Sequence, residues 1–260
     1  MFLFFDIGDT LVDEADFARF RHASVHQFFR ERGCAISDAQ YRADLNNLSM
    51  QGRMTLFDQL RWLAERNGCG YLMGMAVFRD YILRVAPEAP GRFRPFADAH
   101  ATLAALAGER DGDGRAYRLG VIANQPVWIR GRLREWKLLG YFEEECVIIS
   151  DEVAISKPRP EIFQFALEQA RVEPEEAVMI GNDYAFDIEP AKRLGMRTVW
   201  IEREDPYAPG APPIAHPVAA DERIAELAEL PDVLARLSAP ASLANGRAPQ
   251  RTRTGRKKRA

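Results

Sequence analysis

Short apolar runs of strand length, each ending abruptly in a polar residue, constrain this chain more than any other feature. They are MFLFF (Met1 to Phe5), RLGVIA (Arg118 to Ala123), CVIIS (Cys146 to Ser150), AVMI (Ala177 to Ile180) and TVWI (Thr198 to Ile201). A strand with one wet face alternates apolar and polar residues, whereas a strand covered on both faces is apolar throughout. Between the runs lie segments with helical spacing, such as Ile129, Leu133 and Trp136, or Ile162, Ala166 and Ala170. Strands of this kind alternating with helices predict an α/β fold, a buried parallel sheet with helices on both faces.

One interval breaks the alternation. From about Asp16 to Arg92 the spacing is helical throughout, with stripes at Phe17, Phe20, Ser24 and Phe28, at Leu56, Leu60 and Leu63, and at Met75, Phe78, Ile82 and Val85. Gly33, Gly52 and the NGCG at Asn67 to Gly70 mark its turns, and PEAPGRFRP (Pro87 to Pro95) leads back to the alternating part. An inserted helical bundle is the expected result. After Ile201 come a Pro-rich connection, Asp205 to Pro217, and an amphipathic stretch in which Pro231 breaks or starts a helix.

A net charge of -3 on 260 residues exerts no global pull towards nucleic acid or membrane. The end of the chain is basic, with Arg251, Arg253, Arg256, Lys257, Lys258 and Arg259, and is poor in large apolar residues from about Ser238 onwards. Such a tail can touch phosphates, but a solvated, disordered run is the preferred reading. Cys34, Cys69 and Cys146 are odd in number and far apart, which fits neither a disulfide framework nor a CxxC metal spacing and suggests a reducing cytoplasm. No apolar run has the length of a membrane span.

In an open parallel sheet the carboxyl ends of the strands line the crevice where ligands bind. Asp6 follows the first run, Asn124 and Gln125 the second, Asp151 the third, and GNDYAFD (Gly181 to Asp187) the fourth. Each of these alone is most simply a turn former; their convergence on one rim is harder to explain that way. Phosphoryl transfer needs an in-line nucleophile and neutralisation of charge on the phosphoryl oxygens. Asp6, Lys157 and the Asp183/Asp187 pair can supply those parts, and Asp and Asn oxygens suit a hard cation such as magnesium. His22 and His26, four apart on a helix, have no third ligand nearby and are read as ordinary helix residues.

Taken together, DIGDTLVDE, GVIANQ, ISKPRPEIF and MIGNDYAFDIEPAKRLGMRTVWI, in that order, resemble the haloacid dehalogenase superfamily of aspartate-nucleophile hydrolases. The resemblance is to the group with a helical cap inserted after the first motif, and it extends from Met1 to about Leu237. It implies a Rossmann-like, doubly wound parallel sheet built from residues 1–14 and 93–237, an all-helical cap at 15–92 and a basic tail at 238–260. It further implies a magnesium-dependent phosphatase for a small phosphorylated substrate, with Asp6 as the nucleophile and Thr10 steadying its loop. Lys157 would offset charge between nucleophile and phosphate, with Asn124 and Gln125 also on the substrate. The expected metal ligands are Asp6, the Gly8 carbonyl and either Asp183 or Asn182, with Asp187 acting through water or hydrogen bonds.

The chain departs from that pattern twice. Phosphatases of the family carry a second aspartate two residues after the nucleophile, as proton donor and acceptor; here that residue is Gly8. General acid–base assistance is worth about 10²–10⁴-fold in rate. Ala123 stands where relatives have a hydroxyl on the phosphate, and one lost donor costs roughly 2.7–4 kcal/mol. The expectation is a slow phosphatase that favours aryl or acyl phosphates. The alternatives are a haloacid-type dehalogenase, since halide leaves without a proton, and a catalytically silent binding protein.

Overall fold

A computed structural model of the chain describes residues 1–51, 55–202 and 218–238. Gly52, the connection Asp205 to Pro217 and the basic tail after Ser238 lie outside the described residues, while Ser238 itself ends a helix. In chain order the strands are β1 (Phe2–Phe5), β2 (Val12–Asp13), β3 (Arg94–Pro95), β4 (Arg118–Ala123), β5 (Val147–Ile149), β6 (Ala177–Gly181), β7 (Arg197–Ile201) and β8 (Glu222–Ile224). The helices are α1 (Ala15–Glu31), α2 (Asp38–Gln51), α3 (Leu56–Arg66), α4 (Tyr71–Arg84), α5 (Ala89–Arg92), α6 (Ala99–Gly108), α7 (Trp128–Glu135), α8 (Ser150–Val153), α9 (Pro160–Ala170), α10 (Glu189–Arg193) and α11 (Leu230–Ser238).

Six strands form one parallel sheet in the order β5-β4-β1-β6-β7-β8. Successive residues of β1 face opposite sides, as a pleated strand requires. Leu3 and Phe5 join a cluster containing Val121, Ile180 and Leu103, while Phe2 and Phe4 join another containing Ile122, Met179 and Phe163. Burying a side chain of this size contributes about 1.5–3 kcal/mol, so both faces must be covered for the run to form a strand. The fold is thus the expected doubly wound α/β sheet.

β1 lies between β4 and β6, with Phe5 opposite Val121 on one side and Ile180 on the other. The chain runs outward from β1 through β4 to β5, then crosses back to β6. Such a reversal leaves a crevice at the carboxyl edge because the crossovers diverge to opposite sides. Asp6 is the next residue after β1, and its N–H donates to Ile180 O at 2.9 Å, extending the strand pairing to the nucleophile candidate.

Helices α1 to α5 intervene between β2 and β3, which pair antiparallel where the chain leaves and rejoins the sheet. Gly33, Gly68 and Gly70 all have positive φ, so the turns fall where the glycines were expected to place them. Pro231 lies in the first turn of α11, where its missing N–H is harmless.

Three expectations need correction. The stripe Met75, Phe78, Ile82 and Val85 does not face inward as a whole: Met75 is 43% and Ile82 48% exposed, while Gly74 and Val77 are buried. The cause is a close approach of α4 to α3, in which a Cβ on Gly74 would come within 2.7 Å of Arg61 Cα. Second, Cys34 and Cys69 form a disulfide with a Cα–Cα distance of 5.7 Å, and only Cys146 remains free. The helical hairpin brings together cysteines that look unrelated in sequence, and the cysteine pattern no longer argues for a reducing compartment. Third, the sheet gains an edge strand, β8, which is too short and polar to register as an apolar run. Among the described residues, no helix is long and apolar enough to cross a membrane.

Candidate active site

At the carboxyl edge of the sheet, Lys157 is the hub. It is 3% exposed, and its Nζ donates at 2.6 Å to Asp6 Oδ1 and at 2.6 Å to Asp187 Oδ1. Burial by itself lowers an ammonium pKa, but here the Asp187 and Asp6 carboxylates outweigh it and hold Lys157 above the ordinary lysine value. Lys157 therefore stays charged. Its main chain is also held: Asn124 Nδ2 donates to Lys157 O at 2.8 Å, and Lys157 N–H donates to Asn124 Oδ1 at 2.8 Å. Asn124, expected on the substrate, has its amide on the Lys157 peptide.

β6 ends at Gly181, and the single π-helical turn Tyr184–Ile188 follows Asn182 and Asp183. Asp183 Oδ1 accepts from the N–H groups of Ala185 and Phe186, which starts this turn. Asp187 is fully buried; its Oδ2 accepts from Asp183 N–H at 3.0 Å, and the carboxylate packs against Gly181, where no Cβ would fit. Burial, opposed by Lys157 but reinforced by Asp6 and Asp183, pushes Asp187 up to about 8. Asp183 is solvent-exposed but closely surrounded, and its carboxyl also lies above the ordinary range, chiefly through desolvation. Thr10, fully buried, donates from Oγ1 to Asn182 Oδ1 at 3.4 Å and so ties the first loop to the β6 loop.

Three carboxyl groups, those of Asp6, Asp183 and Asp187, surround a single ammonium. Among the described residues, no group of three or more His, Cys, Asp or Glu side chains is arranged to enclose a metal ion. Magnesium seldom needs such a cage, since it is held by one or two carboxylates and keeps several waters. The all-oxygen donor set fits that ion. Asp6 and Asp183 are the carboxylates available to it, because both Asp187 oxygens already accept hydrogen bonds.

The Gly8 position is not empty space. A Cβ built there would lie 2.5 Å from Glu14 Oε1, and Gln125 Nε2 donates to that same oxygen at 2.6 Å. Burial and the neighbouring Asp9 carboxylate, with a smaller push from Asp6, raise Glu14 to about 8, against the Gln125 hydrogen bond and Arg21. Gln125, expected on the substrate, donates to a carboxyl group that the sequence reading passed over. The only signal for it was its place at the end of DIGDTLVDE. Asp9 has φ +50 and accepts from Glu14 N–H at 3.1 Å, so its side chain is turned to the backbone. Ala123 is fully buried, and Asp151 is exposed in α8. His26 stacks on Tyr41 in the helical insertion, away from these residues.

Residues 2–195 match the haloacid dehalogenase-like hydrolase family. The glyceraldehyde 3-phosphate phosphatase of Pyrococcus furiosus is 31% identical over 241 residues, covering 90% of this chain and 92% of the relative. A phosphatase structure from Thermococcus onnurineus superposes with a TM-score of 0.57 at 27% identity, over 89% of this chain and 96% of that one. The 2-haloacid dehalogenase of Pseudomonas syringae pv. Tomato superposes with a TM-score of 0.55 at 25% identity, over 90% of this chain and 98% of the other. With its sheet, its β1 carboxylate and its buried lysine arranged as described, the chain belongs to the haloacid dehalogenase-like hydrolases.

Proposed function

We propose that the protein is a magnesium-dependent phosphatase that passes a phosphoryl group from a small phosphorylated metabolite to Asp6 and then to water. The observation that carries this reading is the Lys157 ammonium held 2.6 Å from both Asp6 and Asp187 at the carboxyl edge of the sheet. Lys157 engages Asp6 through Oδ1, which leaves Oδ2 to attack phosphorus. The same ammonium faces the approaching phosphoryl oxygens and offsets their charge. Asn124 prevents the lysine from drifting, and Asp187 holds its far side. Asp6, the Gly8 carbonyl and Asp183 would hold magnesium, with Asn182 as the alternative to Asp183; when bound, the ion neutralises charge on phosphoryl oxygens. Residues 15–92 act as the cap over this edge, and residues 1–14 and 93–237 form the core.

Two of the relatives named above are phosphatases, one of them for glyceraldehyde 3-phosphate, which supports a small phosphate monoester as substrate class. The test is turnover of an aryl phosphate and of a panel of phosphorylated metabolites by wild type and Asp6→Asn, with and without magnesium. Loss of activity in Asp6→Asn and on chelation is expected; equal activity in both proteins would point to a contaminant.

Gly8 and the dehalogenase likeness favour a second reading, displacement of halide by Asp6. That chemistry needs no metal ion and so gives Asp183 no role beyond starting the turn after β6. Chloride release from a 2-chloro acid without magnesium, in the absence of phosphatase activity, would reverse the order of the two readings.

A further inference from the structure

A phosphatase acting on an alkyl ester must protonate a strongly basic alkoxide as it leaves, then remove a proton from the water that attacks the phospho-aspartate. The groups already described are committed elsewhere. Lys157 bridges two carboxylates, Thr10 donates to Asn182, and Asp9 accepts from a backbone N–H.

One carboxyl group remains against the loop that carries Asp6. Glu14 follows β2 just before α1, and its side chain returns to Gly8, two residues after the nucleophile. Its Oε1 stands 2.5 Å from where a Gly8 Cβ would be and its Cδ 2.9 Å from that point, so Glu14 fills the volume a side chain at residue 8 would enter. Gln125, two residues beyond β4, fixes Oε1 at 2.6 Å, and Oε2 has no hydrogen-bond partner among the described residues. A glycine at residue 8 and a glutamate at residue 14 are therefore complementary: the missing side chain makes room for the other carboxyl.

Resting on the phosphatase reading, we infer that Glu14 is the proton donor and acceptor of the reaction, reaching from the entrance of the cap into the place vacated at Gly8. In the first step Asp6 Oδ2 bonds to phosphorus and the bond from phosphorus to the alkyl oxygen breaks. The departing oxygen keeps the electron pair and takes the proton of the Glu14 carboxyl. In the second step the Glu14 carboxylate takes a proton from water while the water oxygen bonds to phosphorus. The bond from phosphorus to Asp6 then breaks, which releases inorganic phosphate and restores the Asp6 carboxylate and the Glu14 acid. Gln125 is a positioning residue for Glu14.

The experiment compares wild type, Asp6→Asn, Glu14→Gln, Glu14→Ala and the double variant Gly8→Asp/Glu14→Ala on one alkyl and one aryl phosphate with magnesium. Glu14→Gln is expected to lower kcat/KM on the alkyl ester by about 10²–10⁴-fold while hardly changing it on the aryl ester. Because the second step also loses its base, acid-quenched Glu14→Gln should accumulate phosphorylated Asp6, visible as an added phosphoryl group in the intact mass. The double variant should recover alkyl turnover relative to Glu14→Ala, since an aspartate at residue 8 then has room. Equal losses on both esters in Glu14→Gln, or no trapped intermediate, would remove Glu14 from the chemistry and leave the phosphatase reading standing. Absence of Asp6-dependent turnover on either ester in wild type would overturn both.

Discussion

Asn124 and Lys157 are joined by a two-way hydrogen bond, side-chain amide to main-chain peptide, with both N···O distances 2.8 Å. The residue after β4 thereby fixes the backbone from which the buried ammonium reaches Asp6. Both ends of the Asn124 amide engage the same peptide, so the side chain and the lysine backbone are held as one unit.

Removing that clamp should act through position. Asn124→Ala is expected to lower kcat by about 10²-fold, the scale of a displacement of about an ångström in a catalytic group, with KM little changed. Aryl phosphate kinetics check this; a pure KM effect would show that Asn124 binds substrate directly.

Lys157 neutralises two buried acids, so Lys157→Met should destabilise the fold by about 3–5 kcal/mol, the usual consequence of stranding buried charge. Denaturant unfolding reads this loss. Magnesium should then raise the melting temperature of the variant more than that of wild type, because it replaces the missing positive charge. Identical stabilities for the two proteins would show that the Lys157 ion pairs with Asp6 and Asp187 do not stabilise the fold.

The contact of α3 with α4 depends on Gly74. A Cβ there meets backbone, Arg61 Cα at 2.7 Å, which cannot swing aside as a side chain would. Gly74→Val should therefore destabilise by about 1–3 kcal/mol through overpacking. Its thermal unfolding should shift accordingly, whereas Gly91→Val, at a position with open space, isolates the effect of the added volume.

His22 predicts a pH dependence. Burial first, then the adjacent Arg21 charge, lowers its pKa to about 3, and its ring nitrogens face the Arg21 guanidinium and the Tyr41 hydroxyl at 3.3 and 3.5 Å. The unfolded chain takes up a proton near pH 6.5 and the folded chain does not until about 3. Between those values the unfolded state binds more protons, so this contribution is intact above pH 6.5 and is lost as pH falls towards 3. The slope is at most about 1.4 kcal/mol per pH unit for one proton. His22→Gln should flatten the dependence of unfolding free energy on pH in that window, and an unchanged slope would assign it to other groups.

Much of this protein is legible in its sequence because the physics involved is local. A strand covered on both faces has to be apolar at every position, so β1, β4, β5, β6 and β7 announce themselves, and the polar residues that end them fall on one rim. Positive φ at Gly33, Gly68 and Gly70 and the prolines that open α9 and α11 are likewise demands of the immediate backbone. Tertiary structure alone decided the rest. The bonds from Gln125 to Glu14 and between Asn124 and Lys157 join residues separated by 111 and 33 positions, and the polar groups at their ends are chemically interchangeable until folding sets them face to face. The same holds for the Cys34–Cys69 pair and for the face of α4 that turns inward. Periodicity gives the shape of a helix, but its rotation is chosen by whichever face lets two backbones approach, and here a missing Cβ at Gly74 made that choice.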